Sequence, residues 1–103
     1  MAQSEIMSGA CGMTTKVTAT MEGKVCRLEI ESSCKAIQAI AAELGEVDPY
    51  REISFRQGLP RILEMGHKHC FHTACPVPVG ILKAVEVAAG LNLPKDPVIK
   101  VSR

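Results

Sequence analysis

Aromatic residues are scarce in this sequence, and tryptophan is absent. Two phenylalanines and one tyrosine make up the aromatic 3% of the 103 residues, whereas 47% of the residues are hydrophobic. The core must therefore consist mainly of aliphatic side chains. The chain length predicts a single domain spanning residues 1–103.

Charge of one sign is never concentrated along the chain. Twelve basic and eleven acidic residues give a formal net charge of +1. Proteins that bind nucleic acids usually carry a clustered basic surface, and membrane-surface helices carry a basic face. We therefore expect neither nucleic acid nor membrane as a partner.

Long hydrophobic runs are also missing. The longest stretch without Asp, Glu, Lys or Arg, residues 69–82, contains Pro76, Pro78 and Gly80 and is too short to span a bilayer. The opening residues, MAQSE, lack the basic flank and apolar stretch of a signal peptide. The sequence thus predicts a cytoplasmic protein.

Alternating side chains indicate a β-hairpin near the N-terminus. Polar and apolar residues alternate over residues 14–21 and again over residues 26–31, and Glu22-Gly23 supplies a turn between them. The preceding residues 1–13 show no regular pattern and are expected to form a loose arm.

Helical spacing dominates two later segments. The first begins after Ser32-Ser33, which we expect to cap it, and stops at Gly45. The second begins near Cys75, because proline is tolerated only in the first turn of a helix, and stops at Gly90.

Shorter elements complete the predicted fold. We expect strands at residues 51–55 and 98–101, one or two helical turns at residues 60–65 ended by Gly66, and a loop at residues 67–73. The predicted fold class is α+β: a small sheet of about four strands, with two main helices packed on one face.

Five cysteines are the most informative residues in the chain. In a cytoplasmic protein, cysteines are more often metal-bound, reactive or buried than joined in disulfides. Cys26 alternates with Leu28 and Ile30 in the second strand, so we interpret it as a core residue.

The other four cysteines are placed where ligands are expected. Cys34 and Cys75 fall at predicted helix starts, where free N–H groups and the helix dipole favour a thiolate. Cys11 and Cys70 fall in loops that can converge at one end of a small sheet. We therefore predict one metal site formed by Cys11, Cys34, Cys70 and Cys75.

Three histidines surround Cys70 in the sequence: His67, His69 and His72. Each offers an imidazole that can replace a thiolate as a zinc ligand, and His72, three residues before Cys75, is the best substitute. A polar surface loop is the simpler interpretation of the same residues.

The segment Thr73-Ala74-Cys75-Pro76 and the helix after it resemble the Thr-Ser-Cys-Pro-Asp segment of the TSCPD domain. That domain is a small cysteine-rich module of coenzyme B12-dependent ribonucleotide reductases and also occurs as small free-standing proteins. The resemblance extends over residues 9–90 and includes Cys11-Gly12, Ser33-Cys34 and Cys70. Ala74 and Val77 depart from the Ser and Asp of the motif.

The resemblance implies a zinc-type site made by the same four cysteines, and the chain has no reductase body. Our first hypothesis is thus a zinc-binding module with a structural role or a role in docking an unknown protein partner. The alternatives are an iron–sulfur protein for electron transfer or cluster carriage, and a thiol enzyme with Cys75 as nucleophile and His72 or His69 as base. The oligomeric state is not predicted.

Overall fold

The computed structural model describes residues 1–103. Four strands and four helices follow one another in the order β1 (Ala2–Met7), β2 (Thr14–Glu22), β3 (Val25–Ser32), α1 (Lys35–Glu43), β4 (Glu46–Val47), α2 (Pro49–Glu52), α3 (Arg61–His69) and α4 (Val77–Ala88). The strands form one antiparallel sheet in the order β1-β2-β3-β4. The predicted α+β class, the four-stranded sheet and the hairpin are confirmed.

The helices cover one face of the sheet. Helix α4 packs on β1 and β2, α1 packs on β3, and α3 lies against both helices. The side chains between the helices and the sheet form one core of fourteen residues, almost all aliphatic: Ile6, Val17, Ala19, Cys26, Leu28, Ile37, Ile40, Leu44, Val47, Ile62, Val77, Ile81, Ala84 and Val85. The other sheet face carries mostly polar side chains, as the alternation predicts.

The N-terminal segment is more ordered than expected. Residues 2–7 form β1, which pairs with β2 from Ala2↔Ala19 to Met7↔Thr14, so the prediction of a loose arm is wrong for these residues. Tertiary packing explains the difference: Ile6 is buried against Gly80 of α4, where an added Cβ would collide with the Ile6 side chain.

The strand predicted at residues 51–55 is wrong. Helix α2 occupies residues 49–52 instead, because Pro49 stands at its first position and the Asp48 carboxylate accepts a hydrogen bond from the Tyr50 N–H at 3.0 Å. Ile53 and Phe55, the two large apolar residues of this segment, are exposed. β4 supplies the short fourth strand of the sheet.

Helix α3 continues past the glycine that was expected to end it. A Cβ built on Gly66 would lie 2.9 Å from Cγ of Pro78, so the glycine permits close packing of α3 on α4 rather than a stop. The helix consequently includes His67 and His69, which were predicted to lie in a loop.

Two predictions for the C-terminal part of the chain are corrected: one helix starts later than expected, and one strand does not form. Helix α4 starts at Val77, with Pro76 as its N-cap and Pro78 in its first turn, two residues later than expected. Residues 98–101, predicted as a strand, form no regular structure and pair with nothing in the chain.

Candidate functional site

Cys34 lies at the junction of β3 and α1, where it is the N-cap residue of the helix. Its N–H donates to Oγ of Ser32 at 3.1 Å, and Ser32 Oγ also accepts a hydrogen bond from the buried Thr15 hydroxyl at 2.8 Å. Ser32 therefore orients the chain before the helix, whereas the prediction made it, with Ser33, the helix cap. These hydrogen bonds hold Cys34 half-buried beside the core.

Cys70 and Cys75 lie in the connection between α3 and α4. Cys70 ends α3, and its N–H donates to the Gly66 carbonyl at 2.9 Å. The chain then turns, and the Cys75 N–H donates to the His72 carbonyl at 3.2 Å. Both cysteines are half-buried against the core, so the turn returns Cys75 to the neighbourhood of Cys70.

The thiols of Cys34, Cys70 and Cys75 are electrostatic neighbours. Burial, followed by the charge and hydrogen bond of Cys75 and by the charge of Cys34, together raise the pKa of Cys70 to about 11. Cys34 thus lies near Cys70 and Cys75, which are 36 and 41 positions further along the sequence. The structure brings together these three of the four predicted ligands.

Cys11 stands apart from the three. It is exposed in the loop between β1 and β2, where the Gly12 N–H donates to the Gly9 carbonyl at 2.9 Å and both glycines have positive φ. The sheet register nevertheless places this loop near Cys34, because Met7 pairs with Thr14 and Thr15 pairs with Ser32. Cys11 therefore lies at the same end of the sheet.

No group of three or more His, Cys, Asp or Glu side chains is close enough in this structure to hold a metal ion. The donor chemistry nevertheless suits zinc, because three neighbouring thiols with a fourth in an adjacent loop make up a four-cysteine set. Binding would require the thiols to lose protons and draw closer.

A cavity of about 300 Å³ opens beside Cys70 and Cys75. Its wall includes His67 and His72 together with the largely exposed Phe71 and the half-exposed Val79. The cavity gives the two thiols access to solvent and places imidazoles within the same depression. His72 thus lies at the edge of the cysteine site, and it is the residue that the sequence predicts as a substitute ligand.

His69 belongs to a different set of contacts. Its Nε2 lies 3.4 Å from Oε1 of Glu43, and Nζ of Lys68 donates to both oxygens of the same carboxylate at 3.0 and 3.1 Å. Hydrogen bonding from Lys68, followed by the contact with His69, holds the pKa of Glu43 below its ordinary value. No side-chain hydrogen bond joins a histidine imidazole to a cysteine thiol.

Cys26 is a core residue, as predicted. It is fully buried among the aliphatic side chains, and burial raises the pKa of its thiol. A neutral thiol in this position acts as a small hydrophobic group.

Sequence reasoning missed Glu52 and Arg61. The buried Glu52 carboxylate accepts hydrogen bonds from the backbone N–H groups of Arg61 (3.1 Å) and Ile62 (2.7 Å), and the Arg61 guanidinium donates to the Glu43 and Glu46 carbonyls. The local pattern carried no signal for these contacts, because they join residues that are 9 to 18 positions apart.

Comparison with protein-family models matches residues 2–101 to a family described as "Family of unknown function (DUF6951)". The chain belongs to this family. Membership of DUF6951 assigns no activity, and nothing in the match links the chain to a TSCPD-like domain. No curated protein and no solved structure matches the chain. None of its helices has the length and apolar character needed to cross a membrane.

Proposed function

We propose that this chain is a zinc-binding module, with Cys34, Cys70 and Cys75 as three ligands and Cys11 as the fourth. The observation that supports the proposal most strongly is the proximity of Cys34, at the start of α1, to Cys70 and Cys75, in the α3–α4 connection. Three inert cysteines would have no reason to meet at the edge of an aliphatic core that already buries Cys26.

The protonation of the cluster also favours a cation. Thiolates this close repel one another, and that repulsion, together with burial, keeps Cys70 protonated in the metal-free chain. A divalent cation reverses this balance because it stabilises each thiolate that it binds. Cys70 is therefore a poor free thiolate, and a bound cation would favour its deprotonated form.

The identity of the fourth ligand decides whether the zinc site is closed and structural or has a position open to other ligands. With Cys11, zinc would have four thiolates and no free position for chemistry. The loop of residues 8–13 is exposed, and no atom outside the loop would obstruct a Cβ at Gly9 or Gly12. The loop therefore has room to bring Cys11 inward, and His72 is the alternative fourth ligand. A closed site would join the hairpin to the α3–α4 connection, for a structural or partner-docking role.

The test is metal analysis of the full chain purified without oxygen, together with its visible spectrum. We expect one zinc per chain, no visible absorption, and a higher unfolding temperature with zinc than after chelation. Replacement of zinc by cobalt(II) should give the absorption of a tetrahedral thiolate site. Iron with sulfide in a brown protein would instead establish the cluster alternative.

Single variants identify the ligands. Cys34→Ser, Cys70→Ser and Cys75→Ser should each abolish stoichiometric binding, whereas Cys26→Ser is the matched control and should leave the zinc content unchanged. Comparing Cys11→Ser with His72→Ala decides the fourth ligand. If the folded wild type binds no metal, or if Cys26→Ser alone removes it, the proposal is wrong.

A further inference from the structure

The segment after α4 exposes apolar residues that have no partner within the chain. Val98, Ile99 and Val101 are 75%, 80% and 90% exposed. Residues 96–103 make no hydrogen bond with the rest of the protein. The family match extends to residue 101, so this segment belongs to the family's common pattern. An isolated exposed apolar side chain is ordinary, but three within four residues indicate a contact surface.

The sequence of the segment is that of a strand. Val, Ile and Val are β-branched, and Pro97 stands at the position where a strand tolerates proline, its start. Ile99, Val101 and Arg103 fall on one face of such a strand, with Val98, Lys100 and Ser102 on the other. A half-buried strand of this kind requires a sheet edge.

Strand β1 offers a free edge of the right length. It pairs only with β2, and its backbone makes no other hydrogen bond with the chain's backbone. Its six residues match residues 98–103 in length. At the opposite side of the sheet, β4 pairs with Cys26 and Arg27, and the Leu28 N–H is bonded to the Gly45 carbonyl. The longer unpaired edge is therefore that of β1.

The two faces of β1 match the two faces of the segment. Ala2 and Ile6 are buried on the helix-covered face, where Ile99 and Val101 would extend the apolar layer. The exposed Glu5 side chain lies on the open face of β1, and Lys100 of the added segment would lie on that same face. Residues 95–103 are basic, with Lys95, Lys100 and Arg103 against Asp96, whereas the open face carries five acids (Glu5, Glu22, Glu29, Glu31 and Glu46) against two bases, Lys16 and Arg27.

We propose that residues 98–103 add as a strand to the β1 edge of a second copy of this chain. Each copy both donates a segment and accepts one, so the exchange closes as a two-fold symmetric dimer. Backbone hydrogen bonds to β1 would supply the pairing, while Ile99 and Val101 would supply the buried apolar contact. The proposal is independent of the metal site, because no cysteine takes part in it.

Light scattering on the full chain, with reductant present, tests the proposal. The wild type should have twice the chain mass of 11.1 kDa. Ile99→Lys/Val101→Lys should weaken dimerisation by more than about tenfold. The matched control, Phe55→Lys/Leu59→Lys, adds the same charge at exposed apolar positions outside the segment and should remain dimeric.

Amide hydrogen exchange identifies the edge. Amides of residues 2–6 and 98–103 should be protected in the wild type and should exchange faster in Ile99→Lys/Val101→Lys. Deletion of residues 97–103 should give the same loss of protection in a monomer with unchanged circular dichroism. A monomeric wild type overturns the proposal, including one in which the segment is protected by its own β1. So does a dimer that persists in the tail variant.

Discussion

Helix α3 has two ends with opposite chemistry. At its N-terminus the Glu52 carboxylate accepts from two backbone N–H groups and adds a negative charge where the helix dipole is positive. At its C-terminus Cys70 has a thiol whose pKa is raised to about 11 by burial and by the neighbouring Cys75 and Cys34. At the N-terminal end the buried carboxylate is matched by the chain's own hydrogen bonds, whereas at the C-terminal end burial and the neighbouring cysteines hold the Cys70 thiol in its protonated form.

The difference between the two ends of α3 separates buried polar groups that stabilise the fold from those that the fold does not explain. Glu52 has the partners that a buried carboxylate needs, so its position is explained by the stability of α3. The three thiols are not explained in that way, because a single thiol packs equally well alone, as Cys26 does. The fold alone therefore does not explain why these three cysteines lie near one another.

The largest expected effect on stability is at the N-terminus of α3, where Glu52 accepts two backbone hydrogen bonds. Glu52→Ala leaves the N–H groups of Arg61 and Ile62 without their acceptor, and it should lower the free energy of unfolding by about 3 kcal/mol. Denaturant unfolding of the metal-free protein measures this loss. Glu52→Gln keeps one acceptor and should lose less. If Glu52→Ala is neutral, the two ends of α3 do not differ in the way described.

The next largest effect concerns the reactivity of Cys70 at the C-terminus of α3. In the metal-free protein, a pKa raised from 9.0 to about 11 lowers the thiolate fraction of Cys70 on the order of 100-fold at neutral pH. Alkylation followed by peptide mass mapping should therefore modify the exposed Cys11 well before Cys70. Denatured protein, in which both cysteines are accessible, is the control and should show no such order. Faster labelling of Cys70 in the native protein would contradict the account of the cluster.

The smallest effect concerns the contacts of Glu43 with Lys68 and His69. Because the folded pKa of Glu43 is lowered, its stabilising contribution is present above the ordinary glutamate pKa and is lost as pH falls through the lower folded value. Glu43→Gln should flatten the acid limb of the stability profile and change little at neutral pH, since the pair is largely exposed. An unchanged acid limb in the variant would show that the contact does not contribute.

Local patterns predicted the elements that depend on local physics. Alternation located β2 and β3, and the proline positions located the start of α4 within two residues. The predictions failed where distant contacts decide: Ile6 is held by α4, and Gly66 lies inside α3 because Pro78 packs on it. The strand prediction at residues 98–101 failed although the composition favours a strand, because these residues pair with no strand of the sheet.

The candidate site was predicted in part. Placement at element boundaries separated Cys26 from the other cysteines, and the neighbourhood of Cys34, Cys70 and Cys75 agrees with that grouping. The position of Cys11 depends on loop geometry, which a sequence pattern does not specify. The partners of Glu43 and Glu52 depend on the packing of α3, and no local sequence motif predicts them.

A hydrogen bond near the cysteine end has a consequence for the order of folding. The Ser4 hydroxyl donates to the Gly80 carbonyl at 2.8 Å, across 76 positions of sequence. Helix α4, which follows Cys75 directly, therefore closes on the first strand of the chain. On a ribosome, most of the polypeptide must emerge before these two segments can meet. The core is thus completed only after all four candidate ligand cysteines have been synthesised, because α4 follows Cys75 in the sequence.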